Sequence, residues 1–206
     1  MRVVGVVLAG GQSSRVGFPK ALLPIGGSTF LASIVANLFE AGVSEVVVVT
    51  GAHDAEIRTA HAGRWPRPLS WVLNADHERG QLASLKCALA AIAPEPDAVL
   101  VTLVDQPLVR ADTMAAIVER HRASGAPVVR PVHDGRHGHP VLFGRATFAS
   151  LRATPDASGA RAVVHGLGEA VADVEVVDTG VVEDVDTVRD YERLVGPLPA
   201  VLADRV

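Results

Sequence analysis

A short apolar run near the start of the chain leads directly into a glycine-rich loop. The run spans residues 3–8, and the loop after it contains Gly10, Gly11, Arg15 and Lys20. Because glycine lacks a Cβ, the backbone N–H groups of such a loop can approach a ligand closely. The guanidinium of Arg15 and the ammonium of Lys20 suit phosphate oxygens. This stretch therefore predicts a strand that ends in a triphosphate-binding loop.

Other glycine-rich nucleotide motifs do not fit the spacing. The P-loop pattern G-x-x-x-x-G-K-[ST] has four residues between its glycines, whereas five lie between Gly11 and Gly17. The dinucleotide fingerprint G-x-G-x-x-G is also absent, which disfavours a dehydrogenase. A purely structural turn would not require Arg15 and Lys20 as well.

Composition and hydrophobic periodicity predict one α/β domain. The 206 residues are 49% hydrophobic and 4% aromatic, which is typical of a valine-rich sheet covered by aliphatic helices. Apolar strand patterns at 46–50 and 69–73 each follow a helical pattern. This βαβαβ order predicts a doubly wound, mostly parallel sheet within residues 1–195, with 196–206 as a loosely held C-terminal tail.

Charge and cysteine content narrow the functional classes. A formal net charge of −4 gives no indication of a nucleic acid or an anionic membrane as a partner. No apolar run approaches the roughly 20 residues of a membrane span, and no signal-peptide pattern precedes the loop, so we expect a cytoplasmic protein. Cys87 is the single cysteine, which excludes an internal disulfide and a cysteine-based metal cluster.

A carboxylate follows the fourth strand pattern. The strand predicted at 97–104 ends in Asp105-Gln106-Pro107, and an unpaired carboxylate at the edge of a central strand is costly to bury. Mg²⁺ would compensate this charge, since it prefers one or two carboxylates together with phosphate oxygens and water. A role for Asp105 as a helix cap is less favoured, because Asp112 stands where the cap of the next helix belongs.

Two further carboxylates lie nearer the C-terminus. Alternation along 181–185 predicts a strand that places Asp184 and Asp186 on the same face, so either could complete the metal site with Asp105. Thr187 is expected to begin the following helix rather than to bind metal.

The stretch LAGGQSSRVGFPKALLP, residues 8–24, closely resembles the signature loop of the MobA/MocA-like nucleotidyltransferases of the molybdenum cofactor. The element from Gly80 to Ser84 and Leu85 resembles a second motif of that family, beside the nucleotide base and ribose. The resemblance implies a Rossmann-like nucleotidyltransferase fold over residues 1–195. The nucleotide-binding residues that it implies are Leu8, Ala9, Gly10, Gly11, Arg15, Lys20, Asn74, Gly80 and Ser84.

The resemblance also implies an acceptor side. The segment GHPVLF, residues 138–143, resembles the family's acceptor-side loop, so His139 is a candidate for contacting the second substrate. Arg136 would suit an anionic pterin-phosphate acceptor. Gln106, within an Asp-Gln-Pro triplet that resembles the metal-binding segment of the cytidylyltransferase branch, is assigned to the acceptor as well. Arg161, in a Gly-Ala-Arg sequence that recurs in the family, could contact substrate or form a surface salt bridge.

The function implied by the resemblance is Mg²⁺-dependent transfer of a nucleoside monophosphate to molybdopterin, with release of pyrophosphate. Arg15, Lys20 and Asp105 would be the catalytic residues. Gly10 matches the guanylyltransferase branch, whereas Asp-Gln-Pro and Gly-His-Pro match the cytidylyltransferase branch, so CTP is favoured over GTP as the donor. Sugar, polyol and other phosphorylated acceptors stay open. So does a non-catalytic cofactor-binding module serving a molybdoenzyme, although Lys20, Asp105 and Asp184 argue against it.

Overall fold

Strands and helices alternate along the chain as the apolar patterns predict. The computed structural model describes residues 1–63, 65 and 67–203. Its strands are β1 Val3–Ala9, β2 Pro24–Ile25, β3 Ser28–Thr29, β4 Glu45–Thr50, β5 Leu69–Leu73, β6 Ala98–Leu103, β7 Val128–His133, β8 Arg136–His137, β9 Val141–Gly144 and β10 Val171–Glu175. Its α-helices are α1 Phe30–Glu40, α2 Asp54–Ala60, α3 Gln81–Ala91, α4 Ala111–Ser124, α5 Phe148–Ala153, α6 Gly159–Leu167, α7 Val188–Leu194 and α8 Ala200–Ala203. Within these described residues, no helix is long and apolar enough to cross a membrane.

A mixed, mostly parallel sheet forms the centre of the fold. Its order is β10-β7-β9-β6-β1-β4-β5, with the short β8 paired to β7. β1 pairs in parallel with β4 and β6, and β4 pairs in parallel with β5. β9 runs antiparallel to its neighbours β6 and β7, while β2 and β3 form a separate hairpin. The prediction of a doubly wound, mostly parallel sheet is confirmed.

The connectivity of the strands creates a crevice at one edge of the sheet. The chain leaves β1 toward β4 and β5 on one side and returns to β6 on the other. Leu8 of β1 lies opposite Leu103 of β6, so the carboxyl ends of the two strands are adjacent. Open α/β sheets bind ligands at such a point, where the direction of winding reverses. The topology therefore brings the glycine-rich loop after β1 close to Asp105 after β6.

Both faces of β1 are buried, and the two faces contribute to different apolar clusters. Val3 and Val7 belong to a cluster with residues of α1 and α4. Val4 and Val6 belong to a cluster with residues of α3. Burial of each such side chain stabilises the fold by about 1.5–3 kcal/mol. The strand that presents the glycine-rich loop is therefore held from both sides.

Helix α4 does not begin where its predicted cap lies. The helix starts at Ala111, with Arg110 at the N-cap position, and Asp112 lies in its first turn, where it pairs with Arg110 at 2.9 Å. The prediction that Asp112 caps this helix is wrong. Instead the carboxylate of Asp178, which is 5% exposed, accepts hydrogen bonds from the Arg110 backbone N–H at 2.9 Å and from the Thr113 hydroxyl at 2.8 Å.

The segment 181–185 is not a strand. Thr179–Val182 form a 3₁₀ helix, and residues 183–186 have no regular structure. The prediction of a strand is therefore wrong, and the same-face argument for Asp184 and Asp186 fails with it. Thr187 begins α7 as predicted, and its hydroxyl accepts a hydrogen bond from the backbone N–H of Asp190 at 3.1 Å.

The predicted C-terminal tail, 196–206, includes residues 204–206, which lie outside the described residues. Its described part contains α8, and Leu202 is 9% exposed in a cluster with Val16, Phe30 and Tyr191. This part of the segment packs on the domain instead of lying loose. The domain boundary at residue 195 stays a prediction.

Candidate active site

The loop after β1 is folded around Ser13. The backbone N–H groups of Val16 and Gly17 donate to the Ser13 carbonyl at 3.1 and 3.0 Å, and the Lys20 N–H donates to the Ser13 hydroxyl at 3.1 Å. Ser13 and Gly17 have positive φ angles of 52° and 72°. The side chain of Val16 is fully buried. These contacts give the loop a defined turn that is anchored in the apolar interior.

A cleft of about 350 Å³, here called the first cleft, opens between this loop and the carboxyl ends of β1 and β6. Most of the predicted nucleotide-binding and metal-binding residues line it, namely Leu8, Ala9, Gly10, Gly11, Arg15, Lys20, Gly80, Ser84, Asp105 and Asp186. The predicted residue Asn74 is buried behind the cleft, where its side-chain amide donates to the Ser84 hydroxyl at 3.0 Å. Asn74 therefore orients a residue of the cleft wall.

Lys20 lies between two carboxylates of the first cleft. Its ammonium donates to Oδ1 of Asp186 at 2.6 Å and to Oδ2 of Asp105 at 3.3 Å, and its side chain is only 11% exposed. The guanidinium of Arg15 lies 2.9 Å from Oδ2 of Asp186. Three distant parts of the sequence thus form one charged cluster beside the glycine-rich loop.

The two acids of this cluster differ in how readily they ionise. Burial raises the pKa of Asp105 above its ordinary value; the Lys20 ammonium opposes this effect, and the charges of Asp184 and Asp186 add to it. Burial also opposes ionisation of Asp186, but the hydrogen bonds and charges of Lys20 and Arg15 outweigh burial and lower its pKa. Oδ1 of Asp105 is buried and has no hydrogen-bond partner among the described residues. The contact with Lys20 therefore does not fully offset the cost of burying an ionised Asp105, and a further cation would stabilise this carboxylate.

Asp184 takes a position different from that of Asp186. Its Oδ1 accepts a hydrogen bond from the side-chain amide of Gln106 at 2.8 Å, and it does not line the first cleft. The backbone N–H of Val185 donates to the carbonyl of Asp105 at 2.8 Å. These two contacts fasten the C-terminal segment to the loop after β6. They leave Asp186, the next residue, beside Lys20.

A second cleft of about 510 Å³ adjoins the first, and Leu8, Gln81 and Leu103 line both. The predicted acceptor residue His139 lines the second cleft. Burial lowers the pKa of its imidazole, although the nearby Asp184 opposes this effect, so the ring is neutral over more of the pH range than an exposed histidine.

The other two predicted acceptor residues line neither cleft. Gln106 is 4% exposed and is hydrogen-bonded to Asp184. Arg136 is exposed on β8, where its guanidinium reaches the carbonyl of Val182 at 3.4 Å. The structure therefore brings His139 to a cleft and leaves Gln106 and Arg136 outside.

The first cleft is also lined by three residues that no sequence motif indicated, His53, His77 and Gln81. Nε2 of His53 lies 3.0 Å from the carbonyl oxygen of Gln12, so this ring supports the loop after β1. His77 packs closely on Gly51, since a Cβ on Gly51 would lie 2.7 Å from the Cβ of His77. Only the positions of the two histidines could have indicated them, because both follow the carboxyl ends of parallel strands, where open α/β sheets bind ligands.

The acidic residues do not form a complete metal site by themselves. Among the residues that the structure describes, no three His, Cys, Asp or Glu side chains are grouped so that they could hold a metal ion. Asp105 and Asp186 would supply only part of a ligand set. Mg²⁺ typically binds to one or two carboxylates and completes its shell with phosphate oxygens and water, so this pair fits a metal that arrives with a nucleotide.

Known proteins resemble this chain over nearly its full length. The model of the MobA-like NTP transferase domain family matches residues 5–173. The nicotine blue oxidoreductase of Paenarthrobacter nicotinovorans is 32% identical over 200 residues, which cover 93% of this chain and 96% of that protein. The molybdenum cofactor cytidylyltransferase of Escherichia coli K12 is 27% identical over 186 residues, which cover 90% of this chain and 92% of that protein.

One solved structure of a relative contains a bound metal ion. The structure of Rv0371c from Mycobacterium tuberculosis H37Rv in complex with manganese has a TM-score of 0.77 and 30% sequence identity, and the match covers 95% of this chain and 98% of that chain. A homologue of this protein thus binds a divalent cation. The chain is an enzyme of the nucleotidyltransferase class. Because the family model matches most of its length, the chain belongs to the MobA-like NTP transferase domain family.

Proposed function

We propose that this enzyme transfers a nucleoside monophosphate from CTP, with GTP as the alternative donor, to a phosphorylated acceptor and releases pyrophosphate. The observation that carries the proposal is the cluster of Arg15, Lys20, Asp105 and Asp186 at the glycine-rich loop. Cations for phosphates and carboxylates for a metal are the groups that nucleotidyl transfer requires. No covalent nucleophile is needed, because an acceptor phosphate is already anionic at neutral pH.

In the proposed reaction, an oxygen of the acceptor phosphate attacks the α-phosphorus of the nucleotide in line. A new P–O bond forms while the bond between the α-phosphorus and the bridging oxygen breaks, and pyrophosphate leaves with that electron pair. Arg15 and Lys20 would bind oxygens of the triphosphate and stabilise the charge that develops on the leaving group. Gly10 and Gly11 would let the backbone approach the phosphates.

Asp105 and Asp186 are the residues that would hold Mg²⁺. Oδ1 of Asp105 fits this role, because it is buried and has no hydrogen-bond partner among the described residues. Asp186, unlike Asp184, lines the first cleft. When bound, the metal would supply charge stabilisation at the α-phosphate. The manganese complex of the mycobacterial relative supports a divalent cation in this family.

Molybdopterin is the acceptor that we propose, because one full-length relative is named a molybdenum cofactor cytidylyltransferase. The second cleft would hold it, with His139 in its wall. Since Leu8, Gln81 and Leu103 line both clefts, an acceptor in the second cleft would lie next to a nucleotide in the first.

Thermal unfolding with CTP, GTP, ATP or UTP, each with Mg²⁺ and with a chelator, tests the donor. A ligand at 100 times its Kd stabilises a protein by about 2.7 kcal/mol. We expect a Mg²⁺-dependent rise in Tm with CTP or with GTP. Incubation of the enzyme with that nucleotide and molybdopterin should then release pyrophosphate. The proposal would be contradicted if none of the four nucleotides raised the Tm.

The nicotine blue oxidoreductase relative supports a second candidate function, the reduction of an organic substrate. That protein is similar to this chain over nearly its whole length. A reductase would need an electron donor such as NADH or NADPH, although the dinucleotide fingerprint is absent from the loop after β1. Fluorescence titration with NADH and NADPH separates the two functions. Saturable binding of either cofactor, without a response to nucleoside triphosphates, would favour the reductase.

A further inference from the structure

The basic side chains that line the second cleft differ in whether they already have an acidic partner. Arg130 lies 2.7 Å from Asp173, and His137 lies 3.3 Å from the same carboxylate. Arg161 also lines the cleft and is exposed. Within the described residues it has neither an ion pair nor a side-chain hydrogen bond. The guanidinium of Arg161 is therefore available to an anion from solution.

Arg161 stands on an anchored segment. It lies in the first turn of α6, directly after the loop that contains Asp156. The carboxylate of Asp156 is paired with Arg79 at 2.6 Å and with Lys86 at 2.7 Å. The Lys86 ammonium also donates to the carbonyl of Thr154 at 2.6 Å. These contacts tie the start of α6 to α3 and to the loop before it, so Arg161 is held at the edge of the cleft.

One side of the second cleft is apolar. Aliphatic and aromatic side chains from α3, β6 and β9 form it, namely Leu82, Leu85, Val101, Leu103, Val141 and Phe143, whereas Gln81, Asp156 and Ser158 also line the cleft. His139 adds no fixed charge, because burial disfavours its protonated form. A sugar or polyol would leave hydroxyl groups without partners where it packs against this apolar side, which is unfavourable. A flat ring system whose polar groups lie at its edge would fit this side better, because its faces carry no hydrogen-bonding groups.

The groups that are proposed to bind the triphosphate and the metal all line the first cleft. Lys20, Asp105 and Asp186 line the first cleft and not the second, whereas Arg161 lines the second and not the first. The acceptor phosphate must reach the first cleft in order to attack the nucleotide. An anion held by Arg161 is therefore a different group of the acceptor.

We infer that Arg161 is an acceptor-binding residue that recognises a second anionic group, on an acceptor whose flat ring system packs against the apolar wall of the second cleft. This inference rests on the proposed function, since it takes the second cleft to be the acceptor site. It excludes acceptors whose single anionic group is the attacking phosphate.

Two fluorescent pterins test this inference without the need for turnover. Pterin-6-carboxylate carries a ring system and an anion, and 6-hydroxymethylpterin carries the ring system without the charge. We expect the full-length protein to bind the carboxylate more tightly. Arg161→Ala should weaken binding of the carboxylate about tenfold, because a charge-assisted hydrogen bond is lost. The same change should leave binding of the neutral pterin unaltered.

Two further variants make the comparison specific. Arg161→Lys should keep part of the preference for the carboxylate, since the charge stays but the planar fork is lost. Arg120→Ala is a matched control, because Arg120 is an exposed arginine of α4 that lines neither cleft. Equal affinity of the wild-type protein for the two pterins, or an unchanged preference in Arg161→Ala, would overturn the inference. So would the absence of binding of either pterin.

Nucleotide binding separates this inference from the proposed function. Arg161→Ala should keep the Mg²⁺-dependent rise in Tm with CTP or GTP, because Arg161 does not line the first cleft. The wild-type protein could show no such rise and still prefer the carboxylated pterin in a manner that depends on Arg161. This result would reject the proposed transferase function and retain the anion-binding role of Arg161. A normal rise without that preference would reject the anion site and retain the transferase.

Discussion

The ammonium of Lys20 lies 2.6 Å from Oδ1 of Asp186, although 166 residues separate them in the sequence. The same ammonium is 3.3 Å from Oδ2 of Asp105. Without nucleotide, Lys20 therefore pairs with both of the carboxylates that would hold the metal. Since Lys20 would also bind the triphosphate, metal and nucleotide must exchange partners with it when they bind. Metal and nucleotide should consequently bind cooperatively.

Lys20→Met should strengthen metal binding in the absence of nucleotide. Removal of the ammonium leaves Asp105 without its ion-pair partner and leaves Asp186 paired with Arg15 alone. We therefore expect Mn²⁺ to bind about tenfold more tightly, which corresponds to about 1.4 kcal/mol. Binding of CTP or GTP should weaken in the same variant. Titration of Mn²⁺ followed by electron paramagnetic resonance measures the first effect. Lys86→Met is the control, because that ammonium pairs with Asp156 instead; equal Mn²⁺ affinity in the two variants would contradict the exchange.

Asp105→Asn should abolish turnover yet stabilise the metal-free protein at neutral pH. The folded-state pKa of Asp105 lies above the ordinary value of an aspartate, so the folded protein binds this proton more tightly than the unfolded chain does. The resulting stability is fully present below the unfolded-state pKa and is lost as the pH rises through the raised folded-state pKa. At pH 7 the ionised, buried carboxylate therefore lowers the free energy of unfolding, and its replacement by a neutral amide removes this destabilisation.

Thermal unfolding in the presence of a chelator, from pH 4 to pH 8, measures this effect. We expect the Tm of Asp105→Asn to exceed that of the wild-type protein by about 2–4 °C at pH 7, as for a gain of about 1 kcal/mol in a domain of this size. The difference should shrink as the pH falls. A lower Tm for the variant at pH 7 would show that the Lys20 contact outweighs the burial of the carboxylate.

Gly10→Ala should change the choice of base without a loss of stability. A Cβ on Gly10 would lie 3.4 Å from the Cβ of His77 and 3.6 Å from Oγ of Ser84, which are ordinary contact distances. The fold therefore tolerates alanine here, and the added methyl group would occupy space in the first cleft. We expect the free energy of unfolding to change by less than about 0.5 kcal/mol.

The narrower cleft should favour the smaller base. The ratio of kcat/KM for CTP to that for GTP should rise about tenfold, the effect of one methyl group in a tight pocket. Gly166→Ala is the control, because a Cβ at Gly166 would have no neighbour within 4 Å in the described part of the chain, and Gly166 lines neither cleft. An unchanged ratio in Gly10→Ala would show that this position does not select the base.

Asp178→Ala should be the most destabilising of these substitutions. Its buried carboxylate accepts hydrogen bonds from the N–H groups of Arg110 and Gly180 and from the Thr113 hydroxyl. Loss of several buried partners should lower the free energy of unfolding by about 3 kcal/mol, as measured in urea. Asp112→Ala, which removes an exposed carboxylate from the same helix turn, should change it by less than about 0.5 kcal/mol. Similar losses in both variants would refute the assignment of Asp178 as the residue that holds the start of α4.

Features that depend on neighbouring residues could be predicted from the sequence. Apolar runs and helical periodicity predicted the order of strands and helices, and the doubly wound sheet followed from that order. The glycine spacing marked the loop after β1, and the position of Asp105 after an apolar strand placed it at the same sheet edge. These predictions succeed because parallel strands bring their carboxyl ends together whatever the details of packing.

Features that depend on contacts between distant segments could not be predicted. Asp112 was the nearer candidate for the cap of α4, but the backbone N–H of Arg110 donates to Asp178, 68 residues away. An alternation pattern could not choose between Asp184 and Asp186, because the segment is not a strand. In the folded protein, Gln106 donates a hydrogen bond to Asp184, and Lys20 donates one to Asp186. These contacts determine which of the two carboxylates lies in the charged cluster.

By itself, the sequence determined the class of fold and the position of the glycine-rich loop after β1, because strand periodicity and glycine spacing act over a few residues. Only the tertiary structure decided which acid faces Lys20, which carboxylate supports α4 and which cation of the second cleft is left unpaired among the described residues. Each of those outcomes is a competition between charged groups for partners. The distances between elements after packing settle such a competition, and a linear sequence does not contain those distances.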